Sequence, residues 1–107
     1  MERKEELVRD YLQKIVECKN ADEFVSVFEG VWEKSDEDRE LLSDGIVFMR
    51  GLDCELYEDI SCEEDEERVK KRLEILKRVA EIELEYLEGK LEYEEALREV
   101  NTAAEDW

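Results

Sequence analysis

Residues 62–88 read CEEDEERVKKRLEILKRVAEIELEYLE, and the placing of their apolar side chains decides the fold. At about 100° per residue, Val69, Leu73, Leu76, Ala80 and Leu87 fall on one seam. Ile75, Val79, Ile82 and Tyr86 flank that seam on one side and Leu84 on the other. The apolar arc therefore covers about 200°, wider than a helix packed on a single neighbour needs. Such a helix is either central to a bundle or the contact surface of a homodimer. Ser61 with Glu64 has the form of a capping box at its start, and the carboxylates from Glu63 to Glu67 sit where the positive end of the helix dipole favours them. Glu66–Lys70, Glu67–Lys71 and Glu74–Arg78 are spaced for ion pairs along its surface, and Gly89 supplies a stop.

Working outward toward the N-terminus, residues 3–18 place Leu7, Tyr11, Ile15 and Cys18 on one stripe, with Val8, Leu12 and Val16 beside it. Asn20 with Glu23 reads as the cap of a second helix over about 21–33, whose inner face carries Phe24, Val27, Phe28, Val31 and Trp32. Ser35 with Asp38 opens a third, lined by Leu41, Leu42, Gly45, Phe48, Met49 and Leu52 and ending at Gly51. Gly45 lies on that apolar face, where a glycine costs about 1 kcal/mol of helix propensity, so it is read as admitting a neighbouring helix at close range. Residues 51–60 read as a connector in which Asp53 caps a short turn carrying Leu56 and Tyr57 inward. Beyond Gly89, Tyr93, Ala96, Leu97, Val100 and Ala104 make the face of a final helix, so the chain ends in a helical hairpin.

The expectation is an all-α, compact bundle of four to five helices in a single domain over residues 1–107, with the long helix at its centre. Composition agrees: there is no proline, only four glycines, and an excess of Glu, Leu, Lys and Arg. At 107 residues, two separate cores would each be too small to bury much apolar surface. No apolar run reaches the roughly 20 residues that span a bilayer, and Met1–Glu6 has no signal-like apolar stretch, which predicts a cytoplasmic protein without membrane association. Cys18, Cys54 and Cys62 lack disulfide-scaffold spacing and read as free thiols. The scarcity of Asn and Gln beside abundant Glu, Lys and Arg is a balance reported for thermophiles.

Several chemistries are excluded or unsupported. The chain has no histidine, which removes Ser–His and Cys–His triads and the commonest metal ligand. The cysteine spacing matches neither a zinc nor an iron–sulfur pattern, and the four isolated glycines form no phosphate-binding loop. All-α nucleotide pyrophosphohydrolases hold magnesium with Glu pairs three residues apart, and Glu63/Glu66, Glu64/Glu67, Glu85/Glu88 and Glu92/Glu95 have that spacing. In so Glu-rich a chain such pairs arise by chance, and no following Glu-x-x-Asp is present. No catalytic, cofactor-binding or metal-ligating residue is therefore assigned, and no enzyme activity is expected. Direct nucleic-acid binding is opposed by 34 acids against 16 basic residues, a net charge of −18.

What remains is a protein–protein interaction module, an adaptor or regulatory subunit that docks a protein partner or a second copy through helix faces. Its candidate contact residues are Ile75, Val79, Ile82, Glu83, Tyr86 and Trp107. Trp32 reads as core, while Trp107 either clamps the last helix or stays open to a partner. Glu83 is the one acid inside the apolar arc, with Val79, Ala80, Tyr86 and Leu87 around it. It should be paired with a cation from another helix, protonated, at a rim, or metal-bound. A second reading is an acidic competitor that covers the basic surface of a nucleic-acid-binding protein. Residues 81–106 hold ten acids against Lys90 and Arg98, a net of −8, which makes the C-terminal hairpin the place to seek a partner.

Overall fold

A computed structural model describes residues 2–49, 51–62 and 65–107. Among them run α1 (Arg3–Glu17), α2 (Ala21–Trp32), α3 (Asp36–Gly45), α4 (Leu52–Ser61), α5 (Glu66–Leu87) and α6 (Tyr93–Ala103), with no strand. The all-α class and the C-terminal hairpin, α5–α6, are as the periodicity predicts, with six helices in place of four to five. They form a slab of 39 × 33 × 19 Å.

The two longest helices meet at the centre. Leu7, Val8, Tyr11, Leu12 and Ile15 of α1 and Val69, Leu73, Leu76, Val79, Ala80 and Ile82 of α5 are all buried, and α1 lies along α5. Because α5 also packs against α4 and α6 and touches α2, its wide apolar arc is filled from within the chain. Phe24, Leu42, Met49, Leu56, Ala96 and Val100 complete the core from the other elements.

Two of the expected caps are made: Asn20 Oδ1 accepts the Glu23 N–H at 2.9 Å and Ser35 Oγ accepts the Asp38 N–H at 3.1 Å. Gly45 admits α1 as expected, since a Cβ there would collide with Val8 Cγ2 and stand 3.0 Å from Lys4 Cγ. Other boundaries differ from expectation. Helix α3 stops at Gly45, so Phe48 and Met49 lie in a loop. Gly51, at φ +82°, begins α4 and does not end α3, and the expected connector is a ten-residue helix with Leu56 fully buried. Ser61 is the last residue of α4, and α5 is capped by Asp65, whose Oδ1 accepts the Glu67 N–H at 2.9 Å. Glu63 and Glu64, which entered the expected capping box and carboxylate pairs, lie outside the described residues.

Surface pairing on α5 also departs from the i, i+4 expectation. Among the described residues, Arg78 meets Glu81 and Glu99, and Arg72 meets Asp59 of α4 at 2.6 Å. Arg78–Glu81 stays on the surface of α5, at i, i+3 spacing, whereas the bonds to Glu99 and Asp59 tie α5 to α6 and α4.

Candidate functional site

The site builds outward from Glu83. Burial of the α5 seam encloses this carboxylate completely, at 0% exposure, so it must find partners inside the protein. They are the amides of the α3–α4 loop: Val47 N–H donates to Oε2 at 2.8 Å, and Phe48 and Met49 N–H donate to Oε1 at 3.0 and 3.1 Å. Among the described residues Glu83 forms no ion pair and does not lie at a rim; its partners are three consecutive backbone donors. Burial pushes the carboxyl above its usual range, the three amides oppose that shift, and the nearby Asp53 carboxylate adds to it.

Asp53 itself is held from both sides. Tyr11 O–H donates to Oδ2 at 2.7 Å and the Cys54 N–H donates to Oδ1 at 2.9 Å. Burial, then the Asp53 charge, raise the Tyr11 hydroxyl far above its ordinary value, so it stays a donor throughout the working range of the protein. Tyr11 thus ties α1 to the first turn of α4 while Glu83 ties α5 to the loop before it.

Pinning the amides fixes where the loop's side chains go. Ile46 and Met49 are buried, whereas Val47 is 41% exposed and Phe48 is half-buried. Phe48 enters an aromatic triad with Tyr86 of α5 (centroids 5.3 Å apart, edge to face) and Tyr93 of α6 (5.4 Å), and the two tyrosines are 6.2 Å apart. Tyr93 is 50% exposed, and Leu97, one helical turn along α6, is 37% exposed. Together they give a surface in which apolar groups from a loop and two helices meet, beside the stretch 81–106 with its net −8.

A second aromatic cluster lies on the opposite elements. Phe28 stacks on Tyr57 at 4.7 Å, and Trp32 meets both edge-on. Trp32 is 54% exposed, which corrects its reading as core: α2 ends at this residue, and only one side of the indole is covered. A groove of about 620 Å³ runs between α2, α4 and α5, but Lys19, Lys70 and Lys77 in its walls are balanced by Asp22, Glu66 and Glu74, so it favours neither sign of charge.

Of the six predicted contact residues, Val79, Ile82 and Glu83 are wholly enclosed and face the protein's own core. Ile75 is half-buried against that core. Tyr86 belongs to the triad. Trp107 is partly buried, with the Arg72 guanidinium 4.7 Å over its ring and its carbonyl accepting from Arg72 Nη2 at 2.9 Å, the geometry of a clamp on the chain end. Val47, Phe48, Tyr93 and Leu97 were not singled out. Tyr93 and Leu97 were assigned to the inner face of the last helix, and the signal against that was their flanking run of Glu92, Glu94 and Glu95.

Among the described residues no three acidic or thiol side chains converge as a metal cage, and no helix is long and apolar enough to cross a membrane. Cys18 is buried and donates to the Lys14 carbonyl at 3.2 Å, and Cys54 and Cys62 are exposed and unbonded to one another. Searches of protein-family models, curated proteins and solved structures return no match to this chain.

Proposed function

We propose that this chain is a protein–protein interaction module, an adaptor or regulatory subunit, that docks its partner on the face formed by Val47, Phe48, Tyr86, Tyr93 and Leu97. The observation that carries the reading is the exposure of Tyr93 and Leu97 on α6 and of Val47, next to Phe48 in a loop held by a buried acid. Aromatic groups of this kind supply contact area at low cost in side-chain entropy, and docking energy concentrates on them. A loop already fixed by three hydrogen bonds also loses little freedom on binding.

A photo-cross-linking residue at position 97 tests this in extracts of the source cells. It should give a discrete adduct with another protein. The same residue at Lys71, exposed on α5 about 22 Å along the helix axis from Tyr86, should not. Equal labelling from both positions would refute the face as the docking site. The net −8 of residues 81–106 supports a second reading, an acidic competitor of a basic nucleic-acid-binding surface. In that case partner capture would persist when Tyr93 and Leu97 are replaced by serine.

A further inference from the structure

We infer that the partner presents an apolar anchor flanked by lysines or arginines, and that the occupant of this face is neither a second copy of this chain nor nucleic acid. The inference rests on the docking face proposed above and deepens it. Its argument is charge complementarity. Glu92 and Glu94 flank Tyr93 in the sequence, and Glu94 stands one turn from Leu97 on α6, while Glu85 precedes Tyr86 on α5. Among the described residues, ion pairs engage Glu81, Glu88 and Glu99 of the hairpin, whereas Glu85, Glu92, Glu94 and Glu95 have no cationic partner within 4.0 Å. The apolar face is thus bordered by carboxylates that the protein's own cations leave unneutralised.

That border discriminates among occupants. Two copies meeting through this face would set the unpaired Glu85, Glu92, Glu94 and Glu95 of one against those of the other, and like charges facing each other across an interface are costly. Nucleic acid carries the same sign as the rim. A protein segment with Lys or Arg beside a leucine or aromatic side chain meets both features at once: its anchor covers Tyr93 and Leu97, and its cations reach the carboxylates around them. In such contacts the apolar part sets the lifetime of the complex and the charges speed its formation.

The probe is a short synthetic amphipathic helix with leucines on one face and lysines beside them, compared with a Ser–Lys peptide of equal charge and a Leu–Gln peptide of equal apolarity. Amide chemical-shift mapping reads the location, and fluorescence anisotropy reads the affinity. The Leu–Lys peptide should shift Val47, Phe48, Tyr86, Tyr93 and Leu97. It should bind roughly tenfold more tightly than either comparison peptide and weaken roughly tenfold in the Tyr93→Ser/Leu97→Ser variant. High salt should weaken it further, and light scattering should show a monomer. Ser–Lys binding as tightly as Leu–Lys would overturn the inference by reducing it to bulk charge. Leu–Gln binding as tightly at this face would overturn it while leaving the docking face in place. Leu–Lys mapping to Phe28, Trp32 and Tyr57 would sink the docking face itself, and a dimer closed through Tyr93 would replace the partner with a second copy.

Discussion

Replacing glycine by alanine at positions 30 and 45 should move stability in opposite directions, although both residues sit in helices. Around Gly30, within α2, nothing lies within 4 Å of a new Cβ, so the substitution gains helix propensity alone and should stabilise by about 0.5–1 kcal/mol. Gly45 is the last residue of α3, where the propensity gain is at most about 1 kcal/mol. There the new methyl meets Val8 Cγ2 inside any permitted contact, and Val8, on the buried face of α1, is a short, stiff side chain 1% exposed. Overpacking of this kind costs about 1–3 kcal/mol, so the net effect should be a loss of about 1–2 kcal/mol. In a domain of this size each kcal/mol moves Tm by about 4–8 °C. Lys4 Cγ, the other neighbour at 3.0 Å, belongs to an exposed flexible side chain and can yield. Urea titration followed by circular dichroism reads both variants, with an unchanged slope showing that the unfolded state is not involved. In a Val8→Ala background the penalty at position 45 should vanish, giving a coupling of about 1–2 kcal/mol. If Gly45→Ala proved as stabilising as Gly30→Ala, the close approach of α1 and α3 would be refuted.

Three further outcomes follow from the polar contacts. Because burial raises the Glu83 carboxyl, the folded chain binds that proton more tightly than the unfolded one. Its contribution is fully present below about pH 4.5 and lost as pH rises through the raised folded value, so the stability gap between wild type and Glu83→Gln should be wider at pH 4.5 than at pH 7. A gap that widens toward neutral pH would show that the three amides outweigh burial. Arg72→Lys should cost about 1–3 kcal/mol and shift Trp107 emission to the red in a Trp32→Phe background, since an ammonium cannot serve Asp59, the Trp107 carbonyl and the indole face together; unchanged emission would remove the clamp. Tyr11→Phe should cost about 1 kcal/mol by urea titration, and no loss would mean that water replaces the hydroxyl at Asp53.

The helices that periodicity revealed are those whose partners matter least to their existence. In α1 and α5 the apolar stripe alone specifies a buried face, and Asn20 and Ser35 mark starts through bonds to residues three positions on. The errors cluster between Gly45 and Asp65, where local pattern and tertiary demand conflict. Leu42, Gly45, Phe48, Met49 and Leu52 keep helical spacing, yet the chain leaves the helix because the amides of residues 47–49 have acceptors on Glu83, more than thirty residues away. No local signal announces an acceptor so distant. Helix α4 was obscured for a related reason: Ser61 has the chemistry of a start signal and sits at an end. Glu83 itself was legible as an anomaly but its solution was not, since a sequence displays candidate cations and hides backbone donors.

Glu83 connects these observations to the candidate function. A buried charge is weak evidence for stability, because apolar replacement of an ion pair is often neutral or better. That argument needs the partner removed along with the charge, and here the partners are three consecutive backbone amides, which a change of side chain at position 83 leaves in place. An apolar side chain at position 83 would leave the Met49 N–H, which is fully buried, without an acceptor, and the loop would have to adopt another shape to satisfy it. The acid therefore selects a loop conformation at the expense of its own desolvation. The loop conformation then decides the rest: with Ile46 and Met49 drawn into the core, Phe48 is placed against Tyr86 and Tyr93 and Val47 is left facing solvent. The one acid inside the apolar arc is thus the internal support of a loop, and the acids around Tyr93 on the outside, Glu92 and Glu94, are the ones that the proposed docking face would offer to a partner.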